Sequence, residues 1–200
     1  HQLTTFTKNK TMDLKNKVAL TAGGTGGIGM ASAIQMSKMG ASVILLARNE
    51  AKLKDTLSKL DSSNGQSHSY LVADFSNEDS LNVVCEEIKN KKIDILLNNT
   101  GGPAGGPIID ADPAAFLNTF NQHLIANHKL TQAVIPNMKS QPYGRIINII
   151  STSVKAPLNG LGVSNTIRGA VANWAKTMAN ELGQFNITVN NVLPGATNTG

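Results

Sequence analysis

The chain has 200 residues, 40% of them hydrophobic and 16% charged, and 18 lysines and arginines against 13 acidic residues give a formal charge of +5. That length suits one domain able to bury roughly 70% of its unfolded surface, and no run approaches the roughly 20 apolar residues of a membrane-spanning helix. The single cysteine, Cys85, excludes an intrachain disulfide and suits a reducing, cytoplasmic setting, while the lysines near the start and at 89–92 lack interleaved aromatics and read as solvated surface that favours an anionic cofactor, not as a nucleic-acid interface.

Residues 1–11 are polar and show no period, so they read as a loose arm or an artificial leader, with Met12 suited to be the natural start of a single domain over 12–200. The first predicted strand, Val18 to Thr21, runs into a turn holding Gly23, Gly27 and Gly29, and the helical pattern Met30, Ala33, Ile34, Met39 follows it. A G-x-x-x-G-x-G spacing between strand and helix gives a tight turn, bare backbone for a pyrophosphate and close helix-on-strand packing. The helix that starts near Gly27 offers unpaired N–H groups and a positive dipole end to an anion.

Ala41 to Ala47 is a second apolar strand, and Asn49 caps a helix bearing Leu53, Leu57 and Leu60. A third strand, His68 to Ala73, ends at Asp74; Ser76 or Asn77 opens a helix with Leu81, Val84, Cys85 and Ile88. The fourth strand is Ile93 to Asn98, followed by a glycine- and proline-rich loop over 100–107. One long helical stretch is predicted over 112–138, a fifth strand over 145–150, a helix over 162–182 and a sixth strand over 187–193. Strands that alternate with helices and are apolar along their length predict an α/β fold, a doubly wound parallel sheet covered on both faces. Its ligand belongs beyond the carboxyl ends of the strands, where Gly23 to Gly29, Arg48, Asp74, Asn98 to Gly101, Ser151 and Pro194 to Thr199 all fall. Six strands leave the expected sheet edge incomplete, so a C-terminal part is expected to be missing. No metal-ligand cluster stands out, and no metal is expected.

Thr21-Ala-Gly-Gly-Thr-Gly-Gly-Ile-Gly29, Asp74, Asn98-Asn-Thr-Gly101, the segment Gly144 to Ser151 and Val189-Asn-Asn-Val-Leu-Pro-Gly195 occur in an order that resembles the short-chain dehydrogenase/reductase family from about Leu14 to Gly200. The resemblance implies a Rossmann fold, a bound nicotinamide dinucleotide and a small carbonyl or hydroxyl substrate. It implies that Gly23, Thr25, Ile28 and Gly29 wrap the cofactor phosphates and that Asp74, with Phe75 beside it, meets the adenine. Asn99 and Gly101 would run under the ribose, and Pro194, Gly195 and Thr199 would hold the nicotinamide carboxamide. Asp74 has a competing reading as a helix cap. The family pattern also implies a homodimer or homotetramer through the helices over 112–138 and 162–182.

NAD binding in this architecture calls for a carboxylate at the end of the second strand. Here Ala47 is followed by Arg48, whose guanidinium suits the 2′-phosphate of NADP, so NADP(H) is expected over NAD(H). The family's catalytic serine matches Ser151, but its tyrosine and lysine positions hold Ser164 and Arg168, and its helical asparagine position holds His123. Neither Tyr70 nor Tyr143 is followed four residues later by lysine. An aliphatic hydroxyl is a poor acid beside a phenol, so Ser164 is expected to donate a hydrogen bond, Arg168 to bind the ribose and steady an alkoxide, and His123, titrating in the physiological range, to replace the missing acid. The competing reading of His123 is packed structure, and His128 reads as surface. Segment 163–195 resembles members likened to 3-oxoacyl-carrier-protein reductases. Two functions follow as expectations: an NADP(H)-dependent oxidoreductase, or a dinucleotide-binding protein with little turnover.

Overall fold

The computed structural model describes residues 12–195. Six strands, β1 Val18–Ala22, β2 Ser42–Ala47, β3 Ser69–Val72, β4 Ile95–Asn98, β5 Gly144–Ile149 and β6 Ile187–Val192, form one sheet in the order β3-β2-β1-β4-β5-β6. Every pairing is parallel. Helices α1 Gly27–Lys38, α2 Glu50–Leu57, α3 Glu78–Lys89, α4 Pro113–Phe120, α5 Ala126–Ser140 and α6 Gly162–Leu182 connect the strands. The expected doubly wound, three-layer α/β architecture is present.

Local chemistry sets these boundaries. Asn49 Oδ1 accepts the Lys52 N–H and starts α2, and Asn77 Oδ1 accepts the Ser80 N–H and starts α3. Asp112 caps α4, with Pro113 in the first turn, where its missing N–H costs nothing. The cap of α3 is thus Asn77, and the alternative reading of Asp74 as that cap is not realised.

The core divides across the sheet. On one face Leu20, Ile44, Leu46, Leu96, Ile146 and Ile187 meet α3, α5 and α6 through Leu81, Ile88, Leu130, Val134 and Leu182. On the other, Val43, Leu45 and Ala47 meet Ala33 of α1 and Leu53 of α2. Fully burying each such aliphatic side chain contributes about 1.5–3 kcal/mol.

The expectation that every strand is covered on both faces needs correction at the edges. In β6, Ile187 and Val189 are buried while Thr188, Asn190 and Val192 are exposed, and both ends of β3 are exposed. An edge strand has one neighbour, and β6 is covered by α6 on one face only, so its sequence alternates.

The long helical stretch over 112–138 is continuous but not uniform. Between α4 and α5, Asn121–Ile125 form one wide π turn, and His123 lies in it. Such single wide turns recur at functional sites.

Candidate active site

The strand order reverses between β1 and β4, and the site is built beyond their carboxyl ends. Gly23, just after β1, sits at φ +69°, which glycine adopts without steric cost. A β-carbon there would lie 1.7 Å from the Asn99 carbonyl oxygen, and one at Gly29 would lie 2.2 Å from the Gly23 carbonyl oxygen. The turn, the first turn of α1 and the end of β4 therefore touch backbone to backbone. Asn99 Nδ2 donates to the Gly23 carbonyl at 3.2 Å and fastens them. The residue that caps α1 is Gly26, whose lack of a side chain leaves the first-turn N–H groups without a capping oxygen. This cradle fits a pyrophosphate, which needs bare backbone donors and the positive end of a helix.

A cavity of about 290 Å³ opens beside it, with Gly23, Thr25, Arg48, Asp74, Phe75, Asn99 and Gly101 in its wall. Ile28 and Gly29 lie in the first turn of α1 and do not line that cavity; Gly29 is buried as a packing residue. Asp74 Oδ1 accepts from both the backbone N–H and the hydroxyl of Ser76, at 2.9 and 2.7 Å. Those bonds, and more weakly the Arg48 charge, hold its carboxyl below the usual carboxylate range, so it meets a ligand as an acceptor. Arg48 is exposed at the rim.

Of the catalytic candidates, His123 and Arg168 are brought together at Thr100 beyond β4, Ser151 follows β5, and no contact joins Ser164 to them among the described residues. Ser151 Oγ accepts the Ser153 N–H at 3.1 Å, which leaves its hydroxyl hydrogen for another acceptor. The Thr152 N–H donates to the Pro194 carbonyl at 3.1 Å and draws Pro194 and Gly195 beside this serine. Thr199 lies outside the described residues, as do residues 1–11. Ser164 and Arg168 are four residues apart on one face of α6, and both are half-buried. Arg168 reaches back to the sheet: Nη1 donates to the Ile149 carbonyl at 2.7 Å and Nη2 to the Thr100 carbonyl at 3.4 Å. Among the described residues no acidic side chain pairs with it. Burial lowers its pKa, yet a guanidinium remains charged at neutral pH, so the site holds an uncompensated cation.

His123 is almost fully buried, and its Nδ1 shares a short hydrogen bond with Thr100 Oγ1. Its Nε2 makes no hydrogen bond of ordinary geometry among the described residues. Burial first, then the Arg168 charge, push the imidazole down to about 4, with the Gly101 backbone opposing weakly. The expectation that His123 titrates in the physiological range is thereby corrected: at pH 7 it is neutral. The sign for stability follows directly. Between about pH 6.5 and pH 4 the unfolded chain binds a proton here that the folded chain does not, so stability falls as pH drops through that window and levels off below it. The loss amounts to at most about 3 kcal/mol. Urea midpoints measured from pH 7 to pH 4 should show a shallower acid decline in His123→Asn than in the wild type; parallel curves would refute the assignment.

Neither tyrosine enters the site. Tyr70 donates its hydroxyl to Glu50 at 2.9 Å on the β3 edge, and Tyr143, before the amino end of β5, lies against Lys17 and Arg145. His128 is not simple surface: it is half-buried, meets Trp174 edge-on and accepts the indole N–H at 3.3 Å. Sequence reasoning missed Thr100 as the partner of His123, and Ser76 and Gln122 as cavity walls. Only the Asp-x-Ser spacing carried a signal for Ser76, since that short loop favours the side-chain turn seen here.

A family model described as short chain dehydrogenase matches residues 17–200. The chain is 31% identical to the 3-oxoacyl-acyl-carrier-protein reductase FabG of Pseudomonas aeruginosa, over 94% of this chain and 76% of that protein. In fold it is similar to the L-sorbose reductase of Gluconobacter frateurii complexed with NADPH and L-sorbose, with a TM-score of 0.88 and 28% identity over 94% and 72% of the two chains. It is also similar to an NAD+-bound xylitol dehydrogenase, with a TM-score of 0.84 and 28% identity over 94% and 73%.

Proposed function

The chain belongs to the short-chain dehydrogenase family, and from that premise we propose that it is an NADP(H)-dependent oxidoreductase acting on a small carbonyl/alcohol pair, with 3-oxoacyl thioesters as the first substrate class to try. The observation that carries the reading is the cavity itself: a glycine cradle, an adenine-side carboxylate and, at the end of β2, a guanidinium where an NAD site would place a carboxylate.

A bound nicotinamide dinucleotide would supply the hydride chemistry. The chain supplies position and charge. Gly23, Thr25, Ile28 and Gly29 would form the phosphate cradle, Arg48 would hold the 2′-phosphate, Asp74 and Phe75 the adenine, and Asn99 and Gly101 the adenosine ribose. Pro194, Gly195 and Thr199 would hold its carboxamide end. Ser151 donates its hydroxyl to the substrate oxygen, and Ser164 adds a second donor. Arg168 binds the ribose and stabilises the developing alkoxide, for which a fixed, partly desolvated cation is well suited. Neutral His123 passes a proton by way of bound water, accepting at one ring nitrogen as it releases at the other.

The exposed Ile108, Ile109 and Leu117 lie before and on α4, close to the faces through which a homodimer or homotetramer would form. No helix among the described residues is long and apolar enough to cross a membrane. We place the protein in the cytoplasm on the strength of its single, buried, free cysteine.

Arg48→Asp tests the cofactor choice. Losing a charge-assisted contact and adding like charge should weaken NADPH binding about 10- to 100-fold in a fluorescence titration, while NADH binding holds or improves. An unchanged NADPH-to-NADH ratio would remove the argument for NADP. The second reading, a dinucleotide-binding sensor or partner subunit with little turnover, draws on Ser164 standing where a phenol is expected.

A further inference from the structure

Three of this chain's departures from the family pattern, Thr100, His123 and Arg168, lie on three different elements and touch one another. Thr100 follows β4, His123 lies in the π turn between α4 and α5, and Arg168 is in the second turn of α6. The Arg168 guanidinium donates to the Thr100 carbonyl at 3.4 Å, and the Thr100 hydroxyl meets His123 Nδ1. A second Arg168 bond, to the Ile149 carbonyl at 2.7 Å, ties the same unit to the end of β5, two residues before Ser151. Thr100 thus serves two neighbours with two different atoms.

We propose that Thr100 is a positioning residue: its hydroxyl fixes the ring plane and tautomer of His123, leaving Nε2 as the ring atom open to water or ligand, while Arg168 clamps the backbone that carries that hydroxyl. The inference rests on the reductase reading for its consequence in catalysis and on the Thr100–His123 contact for the tautomer. Nε2 is buried without a hydrogen bond of ordinary geometry, the Gly101 backbone being the further group that acts on the ring, and a buried polar atom so poorly met is costly unless something in the working protein meets it. A neutral imidazole has one donor and one acceptor nitrogen, and the partner at one nitrogen decides what the other offers. The Thr100 hydroxyl has no second acceptor among the described residues, so its hydrogen goes to Nδ1 and the ring proton stays on Nε2. His123 is buried within the wide π turn, which lies against α6 while α5 packs on α3.

The test is nitrogen NMR of protein labelled with 15N-histidine, without cofactor or substrate, on wild type, Thr100→Val and Thr100→Ser, with His123→Asn identifying the signal among the four histidines. The wild type should show one dominant tautomer at His123, the valine variant a different or mixed tautomer, and the serine variant the wild-type pattern. Thr100→Ala carries the same test should valine crowd the site. In turnover, kcat should fall about 10- to 100-fold in the valine variant, with KM for NADPH little changed, and recover in the serine variant. An unchanged ring signature in the valine variant, or a changed signature with unaltered kcat, overturns the proposal. If the wild type turns over no substrate, the reductase reading fails by itself and the tautomer result still decides the role of Thr100.

Discussion

Gly23→Ala is expected to abolish measurable dinucleotide binding and to destabilise the chain by about 3–5 kcal/mol, among the largest costs of any single methyl group in this structure. Two effects add. The backbone at Gly23 has φ +69°, where an alanine costs about 1–3 kcal/mol. The new methyl carbon would also stand 1.7 Å from the Asn99 carbonyl oxygen, a backbone atom that no rotamer change can move aside. Relief requires the end of β4 to retreat, which breaks the Asn99 bond to the Gly23 carbonyl and unseats Gly29. The cavity loses its floor with the same movement, because Gly23 and Asn99 both line it. Gly26→Ala is the contrast: a β-carbon there meets nothing within 4 Å and the backbone is extended, so its folding stability should stay within about 1 kcal/mol of the wild type. Urea unfolding and NADPH titration of the two variants check both statements. Equal stability of the two would show that the close backbone packing is not what the turn requires.

Arg168→Met should lower kcat/KM about 10²- to 10³-fold, the scale of losing one fixed donor to a developing oxyanion. Methionine keeps the unbranched stem that fills the space between α6 and the sheet, so the charge and the fork of donors are what is removed. A second observable comes with it. The Arg168 charge is the smaller of the two causes that push His123 down to about 4, so its removal should raise the histidine's proton affinity part of the way towards the ordinary value, with burial still opposing. Arg168→Lys keeps the charge but cannot span the Ile149 and Thr100 carbonyls with a planar fork, so it should fall between wild type and methionine. A methionine variant with full activity would detach Arg168 from the chemistry, and an unmoved His123 would detach it from the histidine.

The parts of this structure that were legible in the sequence are those that depend on neighbours along the chain. Apolar runs bounded by glycine and polar residues located all six strands within about two residues, and Asn49 announced the start of α2 because a cap acts three residues away. The glycine spacing was readable for the same reason, although the role of Gly29 as a seat for the Gly23 carbonyl, out of the cavity wall, needed the fold. What could not be read depends on partners far away in the chain. Nothing in Asn121–Ile125 marks a π turn, which carries neither glycine nor proline. The neutral state of His123 comes from burial and from an arginine 45 positions later, and its contact with Thr100 bridges two elements. His128 was misread for a similar reason: the indole that covers it belongs to α6. The alternation in β6 was present in Ile187-Thr-Val-Asn190 but was overridden by its apolar neighbours, Val192 and Leu193.

The measurement closest to the central claim is turnover: purified protein with NADPH, a panel of simple ketones and 3-oxoacyl thioesters, and the loss of nicotinamide absorbance, run beside His123→Ala and repeated with NADH. The reductase reading predicts substrate-dependent loss of absorbance that is faster with NADPH than with NADH and slowed in His123→Ala. Tight NADPH binding with no turnover on any member of the panel would contradict it and leave a dinucleotide-binding protein built on a dehydrogenase fold.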